Sequence, residues 1–300
     1  LALGAFLWGF SAAIDEPARA SFFPRLLPRT LLRSAVPLIS MAFGSSRVIA
    51  PSIAGFLIAA AGAPATFLLS AAAVSTMIAV LFLVRPAHGV ARPHGSLLNN
   101  FTASLRYIRA NEVFARVIGA GLLNAILAMG FIHMLPVFAK DVLQVDSRGL
   151  GILASAVGVG ALAGFVSYAW LQSRLSPRNL IVGALTVYNL ALIALAFSDW
   201  YWLSFCALVV AGLCHAYFLT CAQVMLQTLV EDHYRGRVMS VFALVWSLMF
   251  FGGFLLNVAG EWAGPRLALA GGAAIMLAYV WLSLVRAKAL RNVVLAPKPG

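Results

Sequence analysis

Long apolar blocks separated by short basic loops constrain this chain more than any other feature. Hydrophobic residues make up 62% of the sequence and charged residues only 10%, which is more apolar surface than a water-soluble fold can bury. A helix needs roughly 17 to 25 apolar residues to cross a bilayer. Eight blocks of that length occur, at about 35–60, 65–84, 113–138, 149–171, 179–198, 201–226, 238–259 and 266–286. The sequence therefore predicts an all-α polytopic membrane protein with about eight complete spans.

A ninth, shorter apolar stretch occupies residues 1–14. It ends at Asp15, Glu16 and Pro17 after too few residues to cross a bilayer alone. The chain also begins at Leu1 instead of a methionine. We expect this stretch to be the second half of a span, and the chain to be N-terminally truncated.

The basic residues lie predominantly in alternate loops, beginning with the loop at 15–34. Lysine and arginine residues beside membrane spans are retained on the cytoplasmic side. Of the 21 lysines and arginines, the exceptions are Lys140, Arg148 and Arg266 in the opposite loops and Arg47 inside a predicted span. This bias predicts a cytoplasmic C-terminus. Because the basic residues are dispersed over five loops, we do not expect nucleic-acid binding.

One long connection, residues 85–112, divides the predicted spans. Its second part carries Leu97, Phe101, Leu105 and Ile108 at helical spacing, which predicts an interfacial amphipathic helix on the cytoplasmic leaflet. The predicted organisation is a C-terminal part of an N-terminal transmembrane half, the cytoplasmic connection, a six-helix C-terminal half and a cytoplasmic tail, at residues 1–84, 85–112, 113–286 and 287–300.

Four further segments, spread over nearly the whole chain, have sequences and a spacing that resemble one known family. They lie at residues 15–29, 46–55, 135–143 and 229–240. They resemble, in order, the loop after the fourth span, an element of the fifth, the exit of the seventh and the loop between the tenth and eleventh spans. The family is the major facilitator superfamily, in its branch of enterobactin-exporter-like and transmembrane secretion effector proteins. The resemblance implies a major facilitator fold, of which this chain is equivalent to spans four to twelve of twelve.

This resemblance implies a secondary active transporter that exports a small amphipathic molecule, such as a siderophore or a drug, by alternating access. Protons are the expected coupling ion, although the usual carriers of that role lie in the first span, outside this sequence. The implied setting is the bacterial inner membrane, with the lipid bilayer and a small-molecule substrate as partners and a monomer as the full-length state. Two alternatives stay open: a non-transporting remnant or accessory protein from a truncated gene, and a membrane lipid enzyme.

Polar residues within the apolar spans are the candidates for a substrate cavity. His215 and Gln223 share one helix face, about 12 Å apart at 1.5 Å per residue, and Tyr217 lies on the adjacent stripe. Asn124 is the deep polar residue of the seventh span. The first, fourth, seventh and tenth spans line the central cavity in the resembling superfamily, so we predict that Asn124, His215, Tyr217 and Gln223 contact the substrate. A histidine hydrogen-bonded to a neighbouring helix is the structural alternative.

Arg47 and Pro51 are candidates for a moving span. An unpaired charge inside a span costs roughly 2.5 to 3.5 kcal/mol, so Arg47 should face protein or a watery cavity. Pro51 removes a backbone donor and loosens the helix, which would suit a flexing span or a static kink. The resemblance further implies cytoplasmic gate loops whose basic residues are Arg19, Arg174, Arg178, Arg235 and Arg237.

The sequence carries no catalytic triad, paired intramembrane carboxylates or His/Cys cluster. We therefore predict no enzymatic activity, no cofactor and no metal site. Gly158, Gly160 and Gly164 superficially match a dinucleotide-binding loop, but they lie within an apolar span and lack the strand that such a loop follows. They predict close helix packing instead.

Overall fold

The computed structural model describes residues 57, 62, 64–83 and 97–291 of the chain. These residues are almost entirely helical, and they contain no strand. They belong to two compact units, one with residues 64–83 and one with residues 97–291. The predictions for Arg19, Arg47, Pro51, residues 1–14 and the span at 35–60 lie outside the described residues.

Within the first unit, helix α1 spans Pro64–Leu83 and is long and apolar enough to cross a membrane. Proline suits the first helical turn, because its missing N–H would find no partner there in any case. Gly62, with φ at +80°, precedes the helix, and glycine adopts this left-handed conformation without steric cost.

The second unit is a helical bundle. Its helices are α2 (Leu97–Ala110), α3 (Glu112–Val142), α4 (Ser147–Leu171), α5 (Pro177–Ala196), α6 (Tyr201–Leu229), α7 (Asp232–Ala263), α8 (Pro265–Leu284) and α9 (Lys288–Arg291). Helices α3 to α8 are each long and apolar enough to cross a membrane. Together with α1, they confirm seven of the eight predicted spans within the described residues.

Short polar connections set the beginnings of three spans. Asn111, Asp146 and Ser176 precede α3, α4 and α5, and each side chain accepts a hydrogen bond from a first-turn N–H at 2.9 to 3.3 Å. These N-caps satisfy donors that the helix leaves open.

Glycines bring the backbones of α4 and α6 into contact. A Cβ atom at Gly160 would lie 1.9 Å from the carbonyl oxygen of Val209, and one at Gly212 would lie 2.0 Å from that of Val157. Neither site can accept a side chain unless the helices separate. This geometry confirms that the glycines of α4 serve helix packing.

A second close crossing involves a π-helical turn of α3 at Ala125–Met129. A Cβ at Gly252 of α7 would lie 2.4 Å from the Ile126 carbonyl oxygen, and one at Gly272 of α8 would lie 2.2 Å from that of Leu127. The wide turn therefore packs against glycines on two neighbouring helices. Apolar periodicity does not predict such a turn, because it assumes a regular 3.6-residue turn.

Exposed tryptophans mark both ends of the bundle. Trp200, Trp202 and Trp262 lie where α5 and α7 end and α6 begins, whereas Trp170 and Trp281 lie at the opposite end, near the ends of α4 and α8. Tryptophan is enriched at the two membrane–water interfaces. The two levels therefore fit a bundle that spans a bilayer.

Helix α2 forms where the amphipathic pattern predicts a helix, and Ile108, the last residue of its apolar stripe, packs on protein. Ile108 is buried, and the Tyr107 ring stacks on the Tyr234 ring of α7 with 4.2 Å between centroids. The opposite side presents exposed Arg106 and Arg109. Helix α2 is thus docked beside the starts of α3 and α7.

Helix α7 begins at Asp232, several residues before the predicted span at 238. The connection after α6 is therefore only residues 230 and 231 instead of a longer loop. Glu231 is the N-cap residue of the helix, where the positive end of the helix dipole favours an acidic side chain.

Candidate functional site

A small cavity of about 50 Å³ lies between α3, α4, α5 and α6. The surface that faces this cavity is apolar, and apolar cavities stay dry or bind apolar groups. Tyr188 from α5 and His215 from α6 are the described lining residues that carry a polar group, and their ring centroids are 5.6 Å apart. The other described residues that line it are Met129, Phe131, Ile132, Val157, Ala161, Ala211 and Gly212.

His215 owes its position to the crossing of α4 and α6. Gly212, one turn earlier on α6, touches the backbone of α4, so α6 lies close enough for the half-buried imidazole to reach the cavity. The sequence predicted His215 as a cavity residue of the tenth span. The structure places it on a cavity among four helices of the second unit.

Tyr188 is the functional candidate that sequence reasoning missed. Its side chain is 2% exposed, and its hydroxyl group has no hydrogen-bond partner among the described residues. Leaving a buried polar group unsatisfied costs about 1 to 3 kcal/mol, so this hydroxyl group is a candidate contact for a ligand. The available signal was a polar cluster inside an apolar span, formed by Thr186, Tyr188 and Asn189.

Asn124 lies on α3 directly before the π-helical turn and is 1% exposed. Neither its Oδ1 nor its Nδ2 atom has a hydrogen-bond partner within residues 64–83 or 97–291. The side chain is not among those that line the cavity of Tyr188 and His215. Asn124 is therefore a second buried polar position, separate from the first.

Tyr217 and Gln223, the other two predicted residues, also do not line this cavity. The Tyr217 hydroxyl lies 2.7 Å from the Ser167 hydroxyl of α4, so it bridges two helices. Gln223 is half-buried two turns further along α6 than His215. Of the four predicted substrate residues, His215 is the one that the structure brings to the cavity.

Two arginines bind the C-terminal end of α8. Arg178, a predicted gate residue at the start of α5, donates a hydrogen bond to the carbonyl oxygen of Val285. Arg116 of α3 donates to the carbonyl oxygen of Ser283 at 2.6 Å and forms an ion pair with Glu112 at 2.9 Å. Guanidinium groups are favoured at a helix C-terminus, where carbonyl oxygens lack partners. The sequence did not predict this role for Arg116.

Two other predicted gate residues stack on aromatic rings. The guanidinium carbon of Arg174 lies 4.4 Å from the Trp170 ring centroid, and that of Arg237 lies 5.9 Å from the Tyr234 ring centroid, both within the range of cation–π contacts. Neither has an acidic partner within the described part of the chain. The side chain of Arg235 lies outside the described residues.

The opposite end of the bundle is tied by an ion pair between Asp199, after α5, and Arg266, at the start of α8. The hydrogen bond and the charge of Arg266 hold the pKa of the Asp199 carboxyl group below its ordinary value. The pair is exposed to solvent, so we expect it to contribute little to stability.

The model of the transmembrane secretion effector family matches residues 1–294 of the chain. The chain is 25% identical over 262 residues to the staphyloferrin A transporter of Staphylococcus aureus (strain NCTC 8325 / PS 47), over 86% of this chain and 64% of that protein. It is 26% identical over 313 residues to the multidrug efflux pump Tap of Mycolicibacterium fortuitum, over 100% of this chain and 75% of that protein. The chain therefore spans less than two thirds of the first of these relatives.

A solved structure has a similar fold. It is the crystal structure of a bacterial homolog to the human lysosomal transporter Spinster, in an inward-facing and unoccupied conformation. The TM-score is 0.58 at 18% sequence identity, and the match covers 91% of this chain and 73% of that one.

Proposed function

Because the chain belongs to the transmembrane secretion effector family of the major facilitator superfamily, we propose that it acts in a secondary active exporter of a small amphipathic molecule. The family match over residues 1–294 is the observation that carries this proposal. The similar staphyloferrin A transporter supports a siderophore-like cargo, and the similar Tap pumps support a drug-like cargo. We propose further that the protein works as a monomer in a bacterial inner membrane, by alternating access.

The polar groups within the described spans favour recognition of the cargo by hydrogen bonds between uncharged groups. Asn124, Tyr188 and His215 offer amide, hydroxyl and imidazole groups inside helices that are otherwise apolar. Such groups hydrogen-bond a cargo while aromatic and aliphatic neighbours bind its apolar part. A mixed apolar and hydrogen-bonding molecule suits this chemistry better than a small ion does.

We propose that His215 carries the coupled proton. An imidazole changes charge between about pH 5 and 8, where carboxyl and amine groups ordinarily do not. On protonation it gains a second N–H donor, and the Tyr188 ring lies beside it, with 5.6 Å between the ring centroids. Tyr188 is the other titratable group among the described lining residues, whereas α3 and α4 contribute apolar side chains.

Efflux from cells that produce the protein tests the proposed function. Cells are loaded with ethidium or with staphyloferrin A, and the loss of each probe is followed with and without a proton gradient. We expect faster efflux of at least one probe than in cells without the protein, and an effect that disappears when the gradient is collapsed. Gly183→Ala, at an exposed site with open space around it, is the control for the effect of a neutral substitution. It should export as the wild type does.

Normal membrane abundance without efflux of either probe would contradict this cargo class. That result would favour the alternative of a non-transporting accessory protein. Efflux that persists without the gradient would contradict proton coupling alone.

A further inference from the structure

A surface hollow of about 300 Å³ lies along the exposed side of α2. The described residues that line it are Thr102, Leu105, Arg106 and Arg109. Their spacing of three, four and seven residues places them on one face of the helix. This face is separate from the Tyr188 and His215 cavity, and the proposed export function does not use it.

The two arginines of the hollow have no charged partner among the described residues. Arg106 and Arg109 are both exposed, and neither forms an ion pair or a hydrogen bond with any described residue. Arg116, two turns further along the chain, shows the contrast, because it is paired with Glu112. The hollow therefore presents two free guanidinium groups, and a guanidinium binds phosphate oxygens through a planar pair of N–H donors.

The position of α2 beside the membrane indicates that a phosphate bound in the hollow would belong to a lipid headgroup. Only residue 111 separates α2 from α3, a span long enough to cross a membrane. Trp170 and Trp281, which mark the headgroup level, lie at this same end of the bundle. Because Tyr107 and Ile108 hold the opposite face of α2 against protein, the two arginines are presented at the depth of the lipid headgroups.

We propose that this hollow binds the headgroup phosphate of an anionic phospholipid. Arg106 and Arg109 contact the phosphate, and Leu105 offers apolar surface to the glycerol backbone and the first carbons of the acyl chains. Anionic lipids of the cytoplasmic leaflet attract basic segments beside membrane spans, which matches the excess of basic residues predicted for this side. A bound lipid would hold α2 in its docked position.

Native mass spectrometry of the purified chain, titrated in detergent with dimyristoyl-phosphatidylglycerol or dimyristoyl-phosphatidylcholine, tests the proposal. We expect tighter binding of phosphatidylglycerol. Arg106→Gln and Arg109→Gln together should weaken it roughly thirty-fold, on the basis of the typical contribution of a basic residue near an anionic surface, and should leave phosphatidylcholine binding unchanged. Thr102→Glu, which adds a negative charge to an intact pair of arginines, should also abolish the preference.

Two controls separate this site from general surface charge. Arg286→Gln removes an exposed arginine at the same end of the bundle but outside the hollow, and Arg148→Gln removes one at the opposite end. Neither should change the preference. An effect of Arg286→Gln equal to that of the double variant, or no effect of the double variant, would overturn the proposal. Displacement of the lipid by millimolar inorganic phosphate would identify a soluble anion as the ligand and would overturn the assignment to lipid.

Discussion

Tyr188, with its buried hydroxyl group, is the residue whose role can be tested most directly. Because the hydroxyl has no partner among the described residues, Tyr188→Phe removes no hydrogen bond within that part of the chain. We expect the melting temperature to stay the same or rise, since an unsatisfied group costs about 1 to 3 kcal/mol. Export should fall several-fold if the hydroxyl group hydrogen-bonds the cargo or takes part in proton transfer. Thermal unfolding in detergent and efflux measurements decide both points.

Tyr201→Phe is the matched control for that substitution. The Tyr201 hydroxyl donates to the carbonyl oxygen of Gly149 at 3.1 Å and links α6 to α4. Its removal should lower the melting temperature and leave export by the surviving protein unchanged. A fall in stability for Tyr188→Phe with normal export would show that its hydroxyl is structural.

The proposed proton carrier gives a prediction in pH. His215→Gln should flatten the pH dependence of efflux between about pH 5 and 8, the range in which an imidazole titrates. Asp199→Asn is the control. Arg266 lowers the pKa of Asp199, so the stabilisation from this pair is already complete above the ordinary pKa of an aspartate and is lost only as the pH falls through the lowered pKa. Asp199→Asn should keep the wild-type pH dependence of efflux. An unchanged pH dependence in His215→Gln would show that His215 does not carry the coupled proton.

At the residue scale, sequence periodicity predicted His215 as a cavity residue but did not predict that Tyr188 of α5 lies beside it. The periodicity of one helix gives the face on which a residue lies, and this placed His215 on a polar face. Which side chain of another helix meets that face depends on how helices pack, and here it depends on the close crossing at Gly212. The polar cluster around Tyr188 marks it within its own helix, but that helix alone does not show that Tyr188 lies beside His215.

At the element scale, the crossing of α4 and α6 gives a prediction of stability. Gly212→Ala would place a Cβ atom 2.0 Å from the Val157 carbonyl oxygen, which forces the helices apart. Overpacking of this kind costs about 1 to 3 kcal/mol or more. We expect a clear fall in melting temperature and in membrane abundance.

Gly183→Ala tests whether that loss comes from the crossing itself. A Cβ at Gly183 of α5 would have no neighbour within 4 Å. The substitution should be neutral or stabilise the helix by up to about 1 kcal/mol, because alanine favours helices over glycine. Equal losses in the two variants would show that glycine at position 212 is not needed for contact.

Helix boundaries were predicted unevenly, for identifiable reasons. Apolar length located seven spans among the described residues, because the bilayer sets that length. The early start of α7 at Asp232 was missed, since a hydropathy pattern does not register the polar helical turns that continue a span outside the membrane. The π-helical turn at Ala125–Met129 depends on glycines of α7 and α8, far along the chain, and no local pattern indicates it.

At the scale of the whole molecule, orientation is the prediction to test. The distribution of basic residues predicts that the α4–α5 connection is cytoplasmic and that the start of α4 is external. Ser147 and Ser173 are both exposed and occupy these two ends. In a background without Cys206, Cys214 and Cys221, Ser147→Cys should react with an impermeant thiol reagent in intact cells and Ser173→Cys should react only after permeabilisation. The reverse pattern would invert the topology.

The contact between Arg178 and the end of α8 has a consequence for how the protein can vary. Arg178 donates to the main-chain carbonyl oxygen of Val285, a group that every amino acid carries. Homologues can therefore change the side chain at 285 without losing the bond, while a change at 178 has no compensating replacement at its partner. In a genetic selection for suppressors of Arg178→Ala, we expect no revertants at position 285. Coevolution methods, which detect paired changes, would overlook this contact for the same reason.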